Sequence, residues 1–260
     1  MASTGMKERK FKIVLMGLFL VILGLYLSIP DGKLRVVFCD VGQGDGALLI
    51  KGKWQMMIDS GADNGKMERC LGRYLPFWDK KIEVVAISHW DSDHSGAIPK
   101  IRKSYQIGTL FESSQSDKNI EQEIYTEKMK AGDSFKYGEI DFEVIYPREF
   151  GGEGNEASMV LVLNFKDKKF MFTGDVDLGG EGEMMSWWKE GVEGIKIAHH
   201  GSETSSSEEW LKRLRPGVAI ISVGKNNWGH PKEIVLERLK KEGVKILRTD
   251  IKGDIILGWD

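Results

Sequence analysis

The chain has 260 residues, a net charge of −2 from 37 Lys and Arg against 39 Asp and Glu, and 41% hydrophobic residues. That balance excludes a disordered chain, and the small net charge excludes a protein held to nucleic acid by bulk charge. A nucleic-acid substrate stays open, because a metal centre supplies its own local positive charge. Cys39 and Cys70 form no C-x-x-C pattern, which excludes a zinc finger and gives no support for a disulfide. Cys39, in an apolar run, reads as a buried free thiol.

Residues 1–10 form a basic N-terminus in which Lys7, Arg9 and Lys10 outweigh Glu8, and residues 11–29 are apolar apart from Lys12. About 18 apolar residues can cross a bilayer as a helix. The basic flank places the N-terminus in the cytoplasm and the remainder outside. The stretch ends Tyr26-Leu27-Ser28-Ile29-Pro30, a poor cleavage site, so an uncleaved single-pass signal anchor in the cell membrane is preferred over a secreted form. One domain over 31–260 is expected to follow. Its first half predicts strands over 34–39, 47–50 and 54–58 between Gly-rich turns, a helix over 67–75, and strands over 84–88, 108–111 and 140–145. After a Gly- and Glu-rich loop over 147–157 come strands 158–165 and 169–173, a helix near 181–188 and a strand 194–198. A helix near 207–214, a strand 218–223, a helix over 232–241 and strands 245–247 and 254–257 close the chain. Short buried strands with helices between them predict an α/β domain of two packed sheets covered by helices.

Four of the five histidines fall in two tight clusters at predicted strand ends. The first is His89-Trp90-Asp91-Ser92-Asp93-His94, directly after an apolar strand and before a helix near Ser95. Alternate residues of an extended segment share a side, so His89, Asp91 and Asp93 face one way and the turn into the helix brings His94 round to them. Two imidazoles and two carboxylates suit divalent metals such as zinc or manganese. Asp175, in Thr173-Gly174-Asp175, ends a second strand and is placed to bridge two metals, although a turn Asp would read the same way. His199 and His200, in Ala198-His199-His200-Gly201-Ser202, end a third. His230, in Trp228-Gly229-His230-Pro231, reads as a ligand, proton donor or substrate contact. Asp59 either orients a ligand histidine or closes a turn. The Gly42-Gln43-Gly44-Asp45-Gly46 run lacks the Lys-Ser/Thr ending of a phosphate loop, and its glycines read as allowing close backbone approach near the site.

The order H-x-D-x-D-H, T-G-D, H-H-G-S, G-H-P resembles the metallo-β-lactamase superfamily. More narrowly it resembles the soluble hydrolase domain of ComEC-type competence (DNA-uptake) proteins. The runs FCDVGQGDGALL, MMIDSG, ISHWDSDHSGAIP, NEASMVLVL, FTGD, IAHHGSETSSS, IISVGKNNWGHP and RTDIKGDI carry that resemblance over residues 38 to 254. It implies a four-layer αβ/βα sandwich, here preceded by one N-terminal membrane helix, with a dinuclear site along one edge. By resemblance His89, Asp91, Asp93, His94, Asp175 and His199 hold two divalent ions, Zn2+ or Mn2+. Asp93, His200 and His230 form the catalytic set, with His200 or His230 steadying the phosphate or protonating the leaving oxygen. Asp91 stands where the broader superfamily has a second His, which makes the site more oxygen-rich. The superfamily's middle His has no counterpart, and the matching loop, 155–158, offers amide, hydroxyl and carboxylate groups.

The expected function is a metal-dependent phosphodiesterase or nuclease acting on DNA outside the membrane, with competence channel proteins as candidate partners. Trp90 and Trp228 flank the expected ligands and would either stack on bases or pack the site wall. The alternative is a hydrolase of a small ester, lactone or β-lactam, since the same metal pair serves attack on a carbonyl.

Overall fold

Strands apolar on both faces build two sheets, each with one side on its partner and the other under helices. In the computed structural model, which describes residues 2–27, 32–114, 124–152 and 154–260, these form two seven-stranded sheets. The first contains β1 (Leu34–Phe38), β2 (Gly46–Lys51), β3 (Trp54–Ser60), β4 (Lys81–Ile87), β5 (Gln106–Glu112) and β6 (Tyr125–Lys128), with β14 (Ile255–Trp259) beside β1. The second contains β7 (Ser134–Tyr137), β8 (Ile140–Tyr146), β9 (Val160–Phe165), β10 (Lys168–Phe172), β11 (Gly194–Lys196), β12 (Val218–Ile221) and β13 (Lys245–Arg248). β3 to β6 run parallel, as do β10 to β13, so the carboxyl ends of each parallel set lie together.

The alternation along β1 shows how the layers form. Val36 and Phe38 point between the sheets, where they join Leu49, Met56, Phe142, Leu163 and Phe170 in a central core. Val37 and Cys39 point to the other side, among Leu48, Val85 and residues Met67 and Leu71 of the helix Lys66–Tyr74. A third core lies under the second sheet, where Met171, Ile195 and Ile221 meet Met184, Trp210, Leu211 and Val235 from the helices Leu178–Trp187, Glu208–Leu214 and Glu233–Lys241. Three cores separate four layers, helix, sheet, sheet, helix.

The sequence passes over two strands, β6 and β7. Both lie at sheet edges and are largely exposed, so their polar residues need not alternate with a buried face. The cysteine expectation is corrected: Cys39 and Cys70 form a disulfide with Cα atoms 6.0 Å apart. The outward side of β1 and the apolar face of the overlying helix bring the two together, a juxtaposition that sequence spacing does not reveal. The N-terminal segment forms a helix, Ala2–Leu27, with its large apolar side chains from Phe11 to Leu23 exposed. Among the described residues no helix is long and apolar enough to cross a membrane. Positions 28–29 of the expected anchor, and the start of the expected domain at 31, lie outside the described residues.

Candidate metal centre

The expected ligands come from different strands, and parallel running delivers them to one edge of the sandwich. β3 ends at Asp59 and Ser60, β4 leads into Ser88 to His94, β10 into Asp175, β11 into His199 and His200, and β12 into Ser222 and the loop carrying His230. β1 leads into the loop that carries Asp45. Asp59, His199 and His200 hold left-handed backbone, with φ of 55°, 49° and 54°. For non-glycine residues that costs of order 1–3 kcal/mol each and is sustained only where surroundings enforce it.

Ligand atoms of His89, His94 and Asp175 lie within 4.8 Å of one another, as do those of Asp93, His94 and His200, and those of Asp45, Asp175 and His200. The first two sets share His94, so they describe two adjoining cation positions. Nε2 of His94 is 3.2 Å from Asp175 Oδ1, and Nε2 of His200 is 3.3 Å from Asp93 Oδ2 and 3.4 Å from Asp175 Oδ2. Nε2 of His89, His94 and His200 and Oδ1 of Asp175 are buried without a hydrogen-bond partner. Each such atom costs about 1–3 kcal/mol, a cost that coordination of a cation removes. Three imidazoles and two carboxylates aimed at common points fit divalent cations.

A second ring of groups aims the first. His94 Nδ1 donates to Asp59 Oδ2 at 3.0 Å, and Asp59 is itself held by the Ser88 backbone N–H (2.7 Å) and hydroxyl (2.8 Å). His200 Nδ1 donates to the Ser222 carbonyl at 2.9 Å. Both arrangements turn Nε2 toward the cation positions. Ser158 accepts from the Asp175 backbone N–H at 3.1 Å and lies 3.4 Å from His89 Nδ1, so the 155–158 loop positions ligands. Asp45 and Lys196, neither singled out from the sequence, complete this ring. Asp45 lies 3.3 Å from His200 Nδ1 and pairs with the Lys196 ammonium, which also donates to the Gly174 carbonyl at 3.1 Å. Their signals were an Asp inside a run of glycines and a Lys inside the apolar strand leading to His199. Gly44 makes the approach of that first run to the site obligatory, since a Cβ there would stand 2.2 Å from the Asp93 carbonyl oxygen.

The electrostatics follow from burial and these neighbours. Burial raises the Asp93 carboxyl, but the His200 and His94 rings outweigh it and hold it down at about 2. Burial lowers His200, but Asp175, Asp45 and Asp93 outweigh it and push the ring up to about 9. His94 is raised in the same way, with burial opposed by Asp175, Asp59 and Asp45. Carboxylates thus favour positive charge at these two rings, the charge a metal ion would bring. Burial lowers His89, His199 and His230 and keeps them neutral.

The expected residues are not all equivalent. His89, Asp93, His94 and Asp175 are brought together around the two cation positions. At the histidine pair, His200 is the buried ring that faces Asp93 and Asp175. His199 Nε2 is 3.9 Å from Asp175 Oδ2, and the ring is partly exposed in the cleft beyond. Successive left-handed residues point their side chains roughly a quarter-turn apart, so one ring of the pair reaches the carboxylates. Asp91 lies 3.5 Å from His89 Nε2 with its side chain 55% exposed, at the rim rather than within the buried clusters. His230 packs its ring 5.7 Å from that of His199 in the cleft wall. Trp90 donates from Nε1 to Glu112 at 2.8 Å and packs against the core on the outer side of the first sheet, whereas Trp228 is 63% exposed.

Two sheets back to back between helices, with His and Asp donors gathered where parallel strands end, define a metal-dependent hydrolase of the metallo-β-lactamase kind. The chain belongs to the metallo-β-lactamase superfamily, whose family profile matches residues 40–225. Among individual proteins it is similar to ComEC-type competence proteins. It is 29% identical to ComE operon protein 3 of Bacillus subtilis, over 86% of this chain and 33% of that protein. It is likewise 29% identical to Recombination protein 2 of Haemophilus influenzae, over 94% of this chain and 31% of that protein. The chain therefore spans about a third of the length of these relatives. Solved structures share the fold at low identity. The metallo-β-lactamase fold protein YhfI of Bacillus subtilis superposes with a TM-score of 0.58 at 12% identity, covering 87% of this chain and 100% of that one. CmlA, a diiron β-hydroxylase from Streptomyces venezuelae, gives 0.62 at 12% identity, covering 88% of this chain and 55% of that one.

Proposed function

We propose that the protein is a metal-dependent phosphodiesterase acting on DNA at the outer side of a membrane. The observation that carries this reading is the cleft over the metal centre. About 840 Å³ in volume, it is lined by Asp91, Asp93, Asp175 and His200 together with His199, Lys225, Trp228 and His230. Its carboxylates suit hard cations, and the rest of the lining offers a cation, two neutral imidazoles and an aromatic face to an anionic substrate. Divalent cations held by Asp93, His94, Asp175 and His200, zinc or manganese by donor type, would supply Lewis acidity and a water of lowered pKa. The chain's own part is to seat the diester. His199 and His230, kept neutral by burial, are placed to hydrogen-bond phosphoryl oxygens in the cleft.

The names of the relatives, competence and recombination proteins, support DNA as the substrate and a DNA-uptake channel as a candidate partner. The basic flank before the apolar segment supports a single-pass anchor with the hydrolase domain outside the cytoplasm. The Cys39–Cys70 pair fits an oxidising compartment.

The test uses the full chain loaded with manganese or zinc and offered bis-p-nitrophenyl phosphate, DNA and a β-lactam. The expected result is metal-dependent diester cleavage that falls by about 100-fold or more in Asp93→Ala. Turnover of the lactam without diester cleavage would overturn the reading in favour of carbonyl chemistry.

A further inference from the structure

The rim of the cleft holds a large apolar ring in water on a loop that is built not to move. Asn226 clamps that loop with four hydrogen bonds. Its Nδ2 donates to the Gly224 carbonyl and to the His230 carbonyl, both at 2.9 Å, and its Oδ1 accepts from the backbone N–H groups of Trp228 (3.1 Å) and His230 (3.0 Å). The backbone beneath Trp228 is thereby fixed while its indole remains 63% exposed. The indole and the His230 ring lie 6.4 Å apart and 28° from parallel, and His230 stands 5.7 Å from His199, which borders Asp175. A line of rings therefore leads from the rim to the metal centre. A preorganised, water-exposed aromatic face loses little entropy when a flat ligand covers it.

We infer that Trp228 is a stacking platform for an unpaired nucleobase, a subsite adjoining the one that takes the scissile phosphate. The inference rests on the phosphodiesterase reading and adds what that reading leaves open, the state of the strand. Bases within a duplex have both faces covered by their neighbours, so a base meets the indole when it is unpaired or splayed out. Lys225, on the same loop and also lining the cleft, is placed to accompany the backbone of such a strand. Asn226 is a positioning residue: its side-chain amide is spent on the loop backbone, and it acts by presenting Trp228.

The test compares a short thymidine strand with the same strand made abasic, in the wild type, Trp228→Phe, Trp228→Ala and Asn226→Ala, all loaded with the same metal. Stacking on one base is worth about 5- to 150-fold in affinity. Trp228→Ala is expected to raise KM for the thymidine strand by a factor in that range, with Trp228→Phe restoring most of the loss. Removing the bases should cost the wild type more than it costs Trp228→Ala. Asn226→Ala should reproduce part of the alanine effect in KM. Binding of the labelled thymidine strand to chelator-treated protein, followed by anisotropy, should show the same order and does not depend on turnover. Equal losses on thymidine and abasic strands, or unchanged KM in Trp228→Ala, would overturn the platform while leaving the phosphodiesterase reading intact. Absence of diester cleavage by the wild type would remove both.

Discussion

Lys196 is a buried ammonium facing buried carboxylates, and what it does depends on whether cations are present. It pairs with Asp45 and lies 3.6 Å from Asp175 Oδ1. Burial works against its charge, but Asp45 and Asp175 outweigh burial and raise its pKa, so it stays protonated. Removing one partner of a buried pair costs about 3–5 kcal/mol because the other charge is stranded. In Lys196→Met the stranded charges are Asp45 and Asp175, and divalent cations at the centre relieve them. The metal-free protein should therefore melt on the order of 10 °C lower than the wild type, and saturating manganese or zinc should recover most of the difference. An equal fall with and without metal, read by differential scanning calorimetry, would reduce Lys196 to a packing role.

At the level of elements, the loop between β1 and β2 serves the site as much as the strands do. Gly44, at φ 125°, passes so close to the Asp93 carbonyl that any side chain displaces one or the other. The Asp45 backbone N–H donates to that same carbonyl at 3.1 Å, so the loop and the ligand segment move together. Gly44→Ala should lower metal affinity by roughly 10–100-fold, the range for disturbing groups that aim ligands, as read by competition with a chromophoric chelator. Gly52→Ala is the control. It also has positive φ, but in an open hairpin turn with nothing within 4 Å, so it should cost stability of order 1 kcal/mol and leave metal affinity alone.

Over the whole molecule, the disulfide ties the first strand to the helix that covers the outer face of the first sheet. Cross-linking residues 31 apart stabilises by about 3.5 kcal/mol through the lost freedom of the unfolded chain. Reduction, or Cys70→Ser, should lower the melting temperature by roughly 7–14 °C. Because neither cysteine is among the groups around the metal centre, the metal count per chain should be unchanged. Melts that coincide with and without reductant would show that the cysteines are unpaired in solution.

Much of this protein is local and therefore legible in its residues. The clusters at 89–94, 175 and 199–200 follow apolar runs, so strand, turn and ligand types could be read together, and the repeated pattern of short buried strands pointed to two packed sheets. Edge strands β6 and β7 escaped because exposed strands carry no alternation. The disulfide escaped because its partners meet across layers. Which of two adjacent histidines faces the buried carboxylates also lay beyond the sequence, since that turns on two left-handed residues, as did the roles of Asp45 and Lys196, which depend on what stands behind the ligands. Chemistry by residue type was present in the chain from the start. The direction in which each group points was decided by the packing of one sheet on the other, because ligand atoms from five separate segments become neighbours through that contact.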